Sequence, residues 1–228
     1  MNIKNIIILF LLFLILSHQK CYSQGNGNKK TDVQESGLLG KVKQIKTDTY
    51  KATERSGEII QGERTYHPYS IEKFNIKGGK TVYYDYDPDG RLIFADTIKY
   101  NLKGNKIELD SHEPQVSTEL KYIFQYDAKG NLVEKSLYRN SENPESKQIY
   151  KYNAKGNLVE ESDLDSAGHL TNKVVYKYDK IGNKIEDDNF KADGSLNSKY
   201  TYAFDDKRNN IEQVIYLPDG SIGQKTVF

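Results

Sequence analysis

The chain has 228 residues and carries 33 Lys and Arg against 32 Asp and Glu, a formal net charge of +1. That balance excludes an electrostatic reason to bind nucleic acid or an anionic membrane. A single cysteine excludes an intrachain disulfide framework, so stability has to come from packing and strand pairing.

Residues 1–23 hold Lys4, an unbroken apolar run of 11 residues from Ile6 to Leu16, and the small polar stretch Cys21-Tyr22-Ser23. This is the pattern of a secretory signal peptide, and the run is too short for a spanning helix, which needs about 20 residues. The segment is therefore expected to be removed, with no membrane insertion afterwards and an exported product: periplasmic, surface-bound or secreted. Cys21 could instead become the lipid-bearing first residue of a lipoprotein. Against this, Lys20 stands where that processing requires a small residue, and cleavage after Ser23 is the preferred reading. Removal of Lys4 and Lys20 leaves 31 basic against 32 acidic side chains. Residues 24–37 contain one aliphatic side chain, Val33, and read as a flexible polar leader.

Residues 38–69, with Val42, Ile45, Ile59 and Ile60 around Ser56-Gly57, are expected to form N-terminal strands that cap a sheet edge. From residue 70 to 228 the chain repeats. A glutamate returns every 26 residues, at Glu108, Glu134, Glu160, Glu186 and Glu212. The unit is Tyr-x-Tyr-Asp-x-x-Gly-Asn-x-apolar-Glu, plainest from Tyr150 to Glu160. Its glycine falls at Gly78, Gly104, Gly130, Gly156 and Gly182, with Arg208 in the sixth place, and an aromatic lies four residues earlier, from Phe74 to Phe204.

A second turn follows twelve residues later, at Gly90, Gly168, Gly194 and Gly220. Units two and three replace it with Glu113-Pro114 and Glu142-Asn143-Pro144. Two turns in each unit of about 26 residues leave strands of roughly eight to ten residues joined as hairpins, with no helical period. The fold expected is all-β, a single curled antiparallel sheet of six two-strand units. Strict alternation back from the turn sets Tyr126 against Leu132 and Phe124 against Glu134, so aromatics and glutamates are expected to share one face. Tyr138, Leu164, Phe190 and Tyr216 of the returning strands are expected on that same face.

The units resemble the YD repeats of the RHS and teneurin families, whose Tyr-Asp pair is seen here as Tyr126-Asp127 and Tyr178-Asp179. The resemblance covers about two thirds of the chain and implies a long curled β-sheet. In those families such sheets close into shells around a toxin or act in carbohydrate binding and cell contact. Residues 83–91 are similar to the start of the RHS core's terminal motif, which is linked to self-cleavage. Asp96-Thr97-Ile98-Lys99 lacks the Pro and Gly of its second half, so cleavage is not expected.

Four Asp residues, Asp85, Asp87, Asp89 and Asp96, have the spacing of a calcium loop around Gly90. The second turn already accounts for this Asp-Gly, and no metal or other cofactor is assigned. Paired carboxylates can hydrolyse glycosides. Equivalent glutamates two strands apart would lie about 10 Å from one another, and such a row suits cross-strand pairing better. His67, His112 and His169 sit on separate segments, and no P-loop, HExxH or GxSxG is present. A non-catalytic binding or scaffolding module at the cell envelope is expected. The candidate ligand-binding residues are Tyr126, Tyr152, Tyr178 and Tyr202 with Glu134, Glu160 and Glu186, a combination on which sugar rings could stack and hydrogen-bond. Glycan is the first expected partner and an envelope protein the second. A glycan-degrading enzyme using two repeated glutamates is the alternative of another class.

Overall fold

The computed structural model describes residues 31–38 and 40–228. The expected signal peptide, Cys21 and the first part of the polar leader lie outside the described residues.

The repeat's turn is built by its own side chains. In the third unit Asp127 N donates to Asn131 O at 2.9 Å and Gly130 N to Asp127 O at 3.0 Å, closing the loop through the backbone. The Asp127 carboxylate then accepts from Asn131 N and from Asn131 Nδ2, each at 2.9 Å. Asp and Asn thus clasp across the base of the turn, and the residue between them must be left-handed: Gly130 has φ +93°. Arg208 holds that conformation at φ +68° in the sixth unit, and its Nε donates to Asn183 Oδ1 of the preceding turn at 2.9 Å. A bond to the neighbouring unit offsets the steric cost that glycine avoids.

Fourteen strands result: β1 Gln44–Arg55, β2 Glu58–Phe74, β3 Lys80–Tyr86, β4 Leu92–Tyr100, β5 Lys106–Glu113, β6 Thr118–Tyr126 and β7 Leu132–Arg139. The series continues as β8 Ser146–Tyr152, β9 Leu158–Asp165, β10 Leu170–Tyr178, β11 Lys184–Lys191, β12 Leu196–Phe204, β13 Asn210–Tyr216 and β14 Ile222–Val227. They form one curled antiparallel sheet in strict chain order, β1 to β14, and no pairing among the described residues closes it. A Pro114–Val116 3-10 turn joins β5 to β6, at one of the two places that lack the second-turn glycine.

The register departs from strict alternation at every glycine turn of the repeat. Tyr126 faces Leu132, but Gln125 faces Glu134, so Val133 is an extra residue, a one-residue bulge. The same step occurs at Tyr100, Tyr152, Tyr178 and Phe204, and at the second turns at Tyr86, Phe190 and Tyr216. The β5–β6 and β7–β8 pairs, which turn through proline-containing segments, have no such step.

A one-residue step moves every later side chain to the other face. The glutamates therefore do not share the aromatic face: Glu134 lies opposite Gln125, Glu160 opposite Lys151 and Glu186 opposite Lys177. Tyr138, Leu164, Phe190 and Tyr216 also belong to the glutamate face, being opposite Lys121, Lys147, Lys173 and Lys199. The tyrosine face receives the next residue instead, such as Lys135 opposite Phe124 and Glu161 opposite Tyr150.

No second layer covers this sheet among the described residues, so burial comes from side chains leaning on neighbouring strands. The most enclosed cluster is Ile98, Leu109, Phe124 and Leu132, with Tyr100, Tyr122, Tyr126 and Tyr150 packed around it. Tyrosine hydroxyls reach back across strands: Tyr100 Oη donates to Lys80 O and Tyr126 Oη to Lys106 O, each at 2.7 Å, and Tyr178 Oη to Leu158 O at 2.8 Å. Each of these bonds spans 20 residues and ties one unit to the hairpin before it.

The described end of the polar leader is ordered into a helical turn, α1 Asp32–Glu35, with a capping box between Thr31 and Gln34. Val33 N donates to Gly78 O at 3.2 Å, and Val33 is buried. Asp32 accepts from Lys80 N at 2.5 Å, and its carboxylate lies 3.1 Å from Tyr100 Oη. Buried Val33 and the Asp32 carboxylate explain why this stretch docks on the first repeat turn, where a flexible segment was expected.

Two stability measurements check this account. Leu132 is 3% exposed, so Leu132→Ala is expected to cost about 3 kcal/mol in urea denaturation. Nothing lies within 4 Å of a Cβ built on Gly156, whose φ is +87°, so Gly156→Ala is expected to cost about 1 kcal/mol from backbone strain alone.

Candidate functional site

The repeated glutamates alternate with lysines in a cross-strand ladder. Glu134 lies 3.2 Å from Lys147 and accepts from Ser136 Oγ at 2.8 Å. Glu160 lies 2.8 Å from Lys151, and Glu212 lies 2.8 Å from Lys225. Glu108 pairs with Lys99, and Glu186 pairs with Lys177 and, at 2.7 Å, with Lys199.

The lysine hydrogen bonds hold Glu108 and Glu160 below the usual carboxylate range. At Glu186 burial opposes the charge, but the bonds from Lys177 and Lys199 outweigh it and hold the carboxyl at about 2. Glycoside hydrolysis by two carboxylates needs one that keeps its proton near neutrality and a partner about 5–9.5 Å away. These three glutamates are driven the other way. Glu134, Glu160 and Glu186 also sit on alternate strands, each about 10 Å from the next. Their geometry is that of sheet stabilisation.

The four candidate tyrosines all lie on the other face. Tyr126 and Tyr178 spend their hydroxyls on backbone carbonyls, as described above, and offer ring surface only. Tyr202 Oη donates to Asp187 Oδ2 at 2.8 Å. Tyr152 lies opposite Leu158 at a bulge.

The bulge brings a different set of polar groups among these rings. Tyr176 Oη donates to Glu161 Oε2 at 3.2 Å. Gln148 Nε2 donates to Asp163 Oδ1 at 3.0 Å, Asn172 Nδ2 donates to Asp163 Oδ2 at 3.4 Å, and Tyr150 Oη donates to Gln148 Oε1 at 3.2 Å. Lys135 lies 5.0 Å from the centre of the Tyr122 ring, and Lys184 lies 5.3 and 5.2 Å from those of Tyr176 and Tyr202.

Burial pushes the Glu161 carboxyl up and the Lys135 ammonium down. It also raises the phenols of Tyr176 and Tyr202, with the Glu161 and Asp187 carboxylates adding to the effect. The tyrosine face therefore combines rings, carboxylates, amides and two amines. Sequence reasoning passed over Glu161, Asp163 and Asp187. The signal that would have found them is the left-handed turn residue, because a turn of that kind brings a bulge with it.

The calcium-loop spacing does not gather its carboxylates. Asp87 Oδ1 accepts from Asp89 N and Arg91 N, Asp89 lies 3.4 Å from Arg91, and Asp85 Oδ1 accepts from Tyr86 N. Asp96 is buried on β4, where Ser111 Oγ donates to it. No group of three or more His, Cys, Asp or Glu able to hold a metal occurs among the described residues. Two open depressions border Tyr176 and Tyr178, one against Val159 and Lys177, the other against Leu158 and Lys184. No helix among the described residues is long and apolar enough to cross a membrane.

No curated protein matches this chain in sequence. Among solved structures, the TcdB2-TccC3-Cdc42 complex aligns at 12% identity and a TM-score of 0.35, over 88% of this chain and 14% of that one. The TcdB2-TccC3 complex aligns at 10% identity and a TM-score of 0.20, over 86% and 15%. A porin-like protein from Bacteroides uniformis aligns at 10% identity and a TM-score of 0.30, over 81% and 94%. This chain thus spans a small part of the two toxin-complex chains. The family model of the Teneurin YD-shell matches residues 38–223, and the chain, a YD-repeat scaffold, belongs to that family.

Proposed function

We propose that this chain is an exported, non-catalytic repeat scaffold of the cell envelope that binds glycan on its tyrosine face. One observation carries the reading: on a face that no second layer covers among the described residues, rings that can stack on sugar alternate with planar polar groups that can bond its hydroxyls. Tyr150 sits with Gln148, Asp163 and Asn172, Tyr176 with Glu161, and Tyr202 with Asp187. Carboxylate and amide pairs of this kind accept and donate at one place, which suits vicinal hydroxyls.

The repeated glutamates take no part in this reading, since they face the other way and are saturated by lysines. The apolar N-terminal run supports export. Binding is spread over several similar places along the sheet, as expected of a repeat surface.

A protein partner is the second reading. It is favoured by the turn tips, where Ile76 is 94% exposed and Leu102 is 95% exposed on neighbouring units.

The test is binding to a panel of envelope and host polysaccharides by affinity electrophoresis. Saturable binding is expected, weakened about two- to fivefold by Tyr152→Ala or Tyr202→Ala. It should be unchanged by Glu134→Gln, Glu160→Gln and Glu186→Gln. If no polysaccharide retards the protein, the glycan reading fails. Capture of an envelope protein that is lost in Ile76→Asp and Leu102→Asp would then establish the second.

A further inference from the structure

The docked leader shows what one turn of this sheet can hold. Val33 N donates to Gly78 O at 3.2 Å, Asp32 Oδ2 accepts from Lys80 N at 2.5 Å, and the same carboxylate lies 3.1 Å from Tyr100 Oη. Val33 is 3% exposed in this seat. The pairing of β3 with β4 ends at Val82 and Thr97, two residues short of Lys80, so the Lys80 amide is met by the carboxylate and not by a neighbouring strand.

The fourth unit repeats the seat three units further on, at Gly156, Leu158 and Tyr178. Gly78 N and Gly156 N donate to Asn75 O and Asn153 O at 2.9 and 3.0 Å, and the two glycines have φ +82° and +87°. Gly79 N and Asn157 N donate to Asn75 Oδ1 and Asn153 Oδ1, each at 3.0 Å. Tyr100 Oη and Tyr178 Oη donate to Lys80 O and Leu158 O at 2.7 and 2.8 Å. The pairing of β9 with β10 ends at Glu160 and Val175, again two residues short, here of Leu158. Gly156, Leu158 and Tyr178 line an open depression.

Charge favours the same kind of occupant at both places. The first residue of the turn is neutral, Asn75 or Asn153, where the third, fifth and sixth units carry Asp127, Asp179 and Asp205. An incoming carboxylate therefore meets no like charge from the turn it docks on. Lys77 and Lys155 reach carbonyl oxygens of the next turn, Leu102 O at 2.7 Å and Lys180 O at 3.1 Å, which leaves their positive charge at the rim. Asp179 of the following turn is bound into its own loop by Ile181 N, Asn183 N and Asn183 Nδ2. One residue of the seat differs, Asn157 for Gly79. The atoms nearest a Cβ built on Gly79 belong to Asn75 and Tyr100, not to the leader.

We propose that the depression at Gly156, Leu158 and Tyr178 is a peptide-docking seat. Its occupant is a segment of a partner protein that offers a carboxylate followed by an aliphatic side chain in a helical turn, as Asp32 and Val33 do at the first unit. The seat is independent of the glycan reading.

The test titrates the 15N-labelled chain with an acetylated peptide of residues 31–38, Thr-Asp-Val-Gln-Glu-Ser-Gly-Leu. The Gly156 and Leu158 amide signals are expected to shift saturably, with a dissociation constant of about 1 mM. Those of Gly78 and Lys80 are expected to stay in place, because the tethered leader holds that seat at an effective concentration above that of the free peptide. A peptide carrying Asp32→Asn is expected to bind about fivefold more weakly, since the charge-assisted bond is lost. Tyr178→Phe in the chain is expected to weaken binding about threefold, and Phe204 already occupies the same repeat position in the sixth unit. The shift map on the unaltered chain decides the matter even if that variant does not fold. No saturable shift at Gly156 and Leu158 up to about 10 mM peptide would overturn the seat. Shifts confined to Gly78 and Lys80, or equal binding of the asparagine peptide, would overturn it as well.

Discussion

The left-handed residue at the fourth place of the repeat's turn is the constraint on which the rest of this structure depends. It lets Asp127 and Asn131 clasp across the turn, and the same geometry inserts one extra residue, Val133, at the start of the returning strand. Because the step recurs at every glycine turn of the repeat, the assignment of side chains to faces is inherited from unit to unit. An error of one residue at a single turn would exchange the two faces of everything after it.

A sheet that no second layer covers among the described residues also has an unusual packing problem. Ile98, Leu109, Phe124 and Leu132 are buried only because aromatic neighbours lie down over them. This accounts for the abundance of tyrosine, 18 residues in the chain. A phenol ring is broad enough to shield adjacent strands, and its hydroxyl reaches a backbone carbonyl of the preceding hairpin, as at Tyr126 and Lys106. The glutamate face solves the same problem with charge. There Glu186 bridges Lys177 and Lys199 on the strands to either side. Both faces therefore stitch neighbouring units together, one by rings and one by ion pairs, consistent with a solenoid-like chain in which each unit leans on the next.

The division of labour between faces bears on function. Charges saturated by partners, like those of Glu134, Glu160 and Glu186, have little left to offer a ligand. The tyrosine face sets its carboxylates and amides beside rings, as at Tyr176 with Glu161 and Tyr150 with Gln148.

The amino-acid sequence by itself determined the repeat, its two turns, the antiparallel hairpins and membership of a YD-repeat family, because turn chemistry and period are local properties. The expected tyrosines are on one face, since Tyr122, Phe124 and Tyr126 alternate within an uninterrupted strand. Only the tertiary structure decided what accompanies them. The bulge after each glycine turn replaces the repeated Glu160 by Glu161 at the side of Tyr150, and Glu186 by Asp187 at the side of Tyr176. Only pairing also showed that Asp32 and Val33 of the polar leader dock on the first turn. The reason is physical: the cross-strand partner of a side chain depends on hydrogen-bond register, which a period of 26 residues leaves free to slip by one.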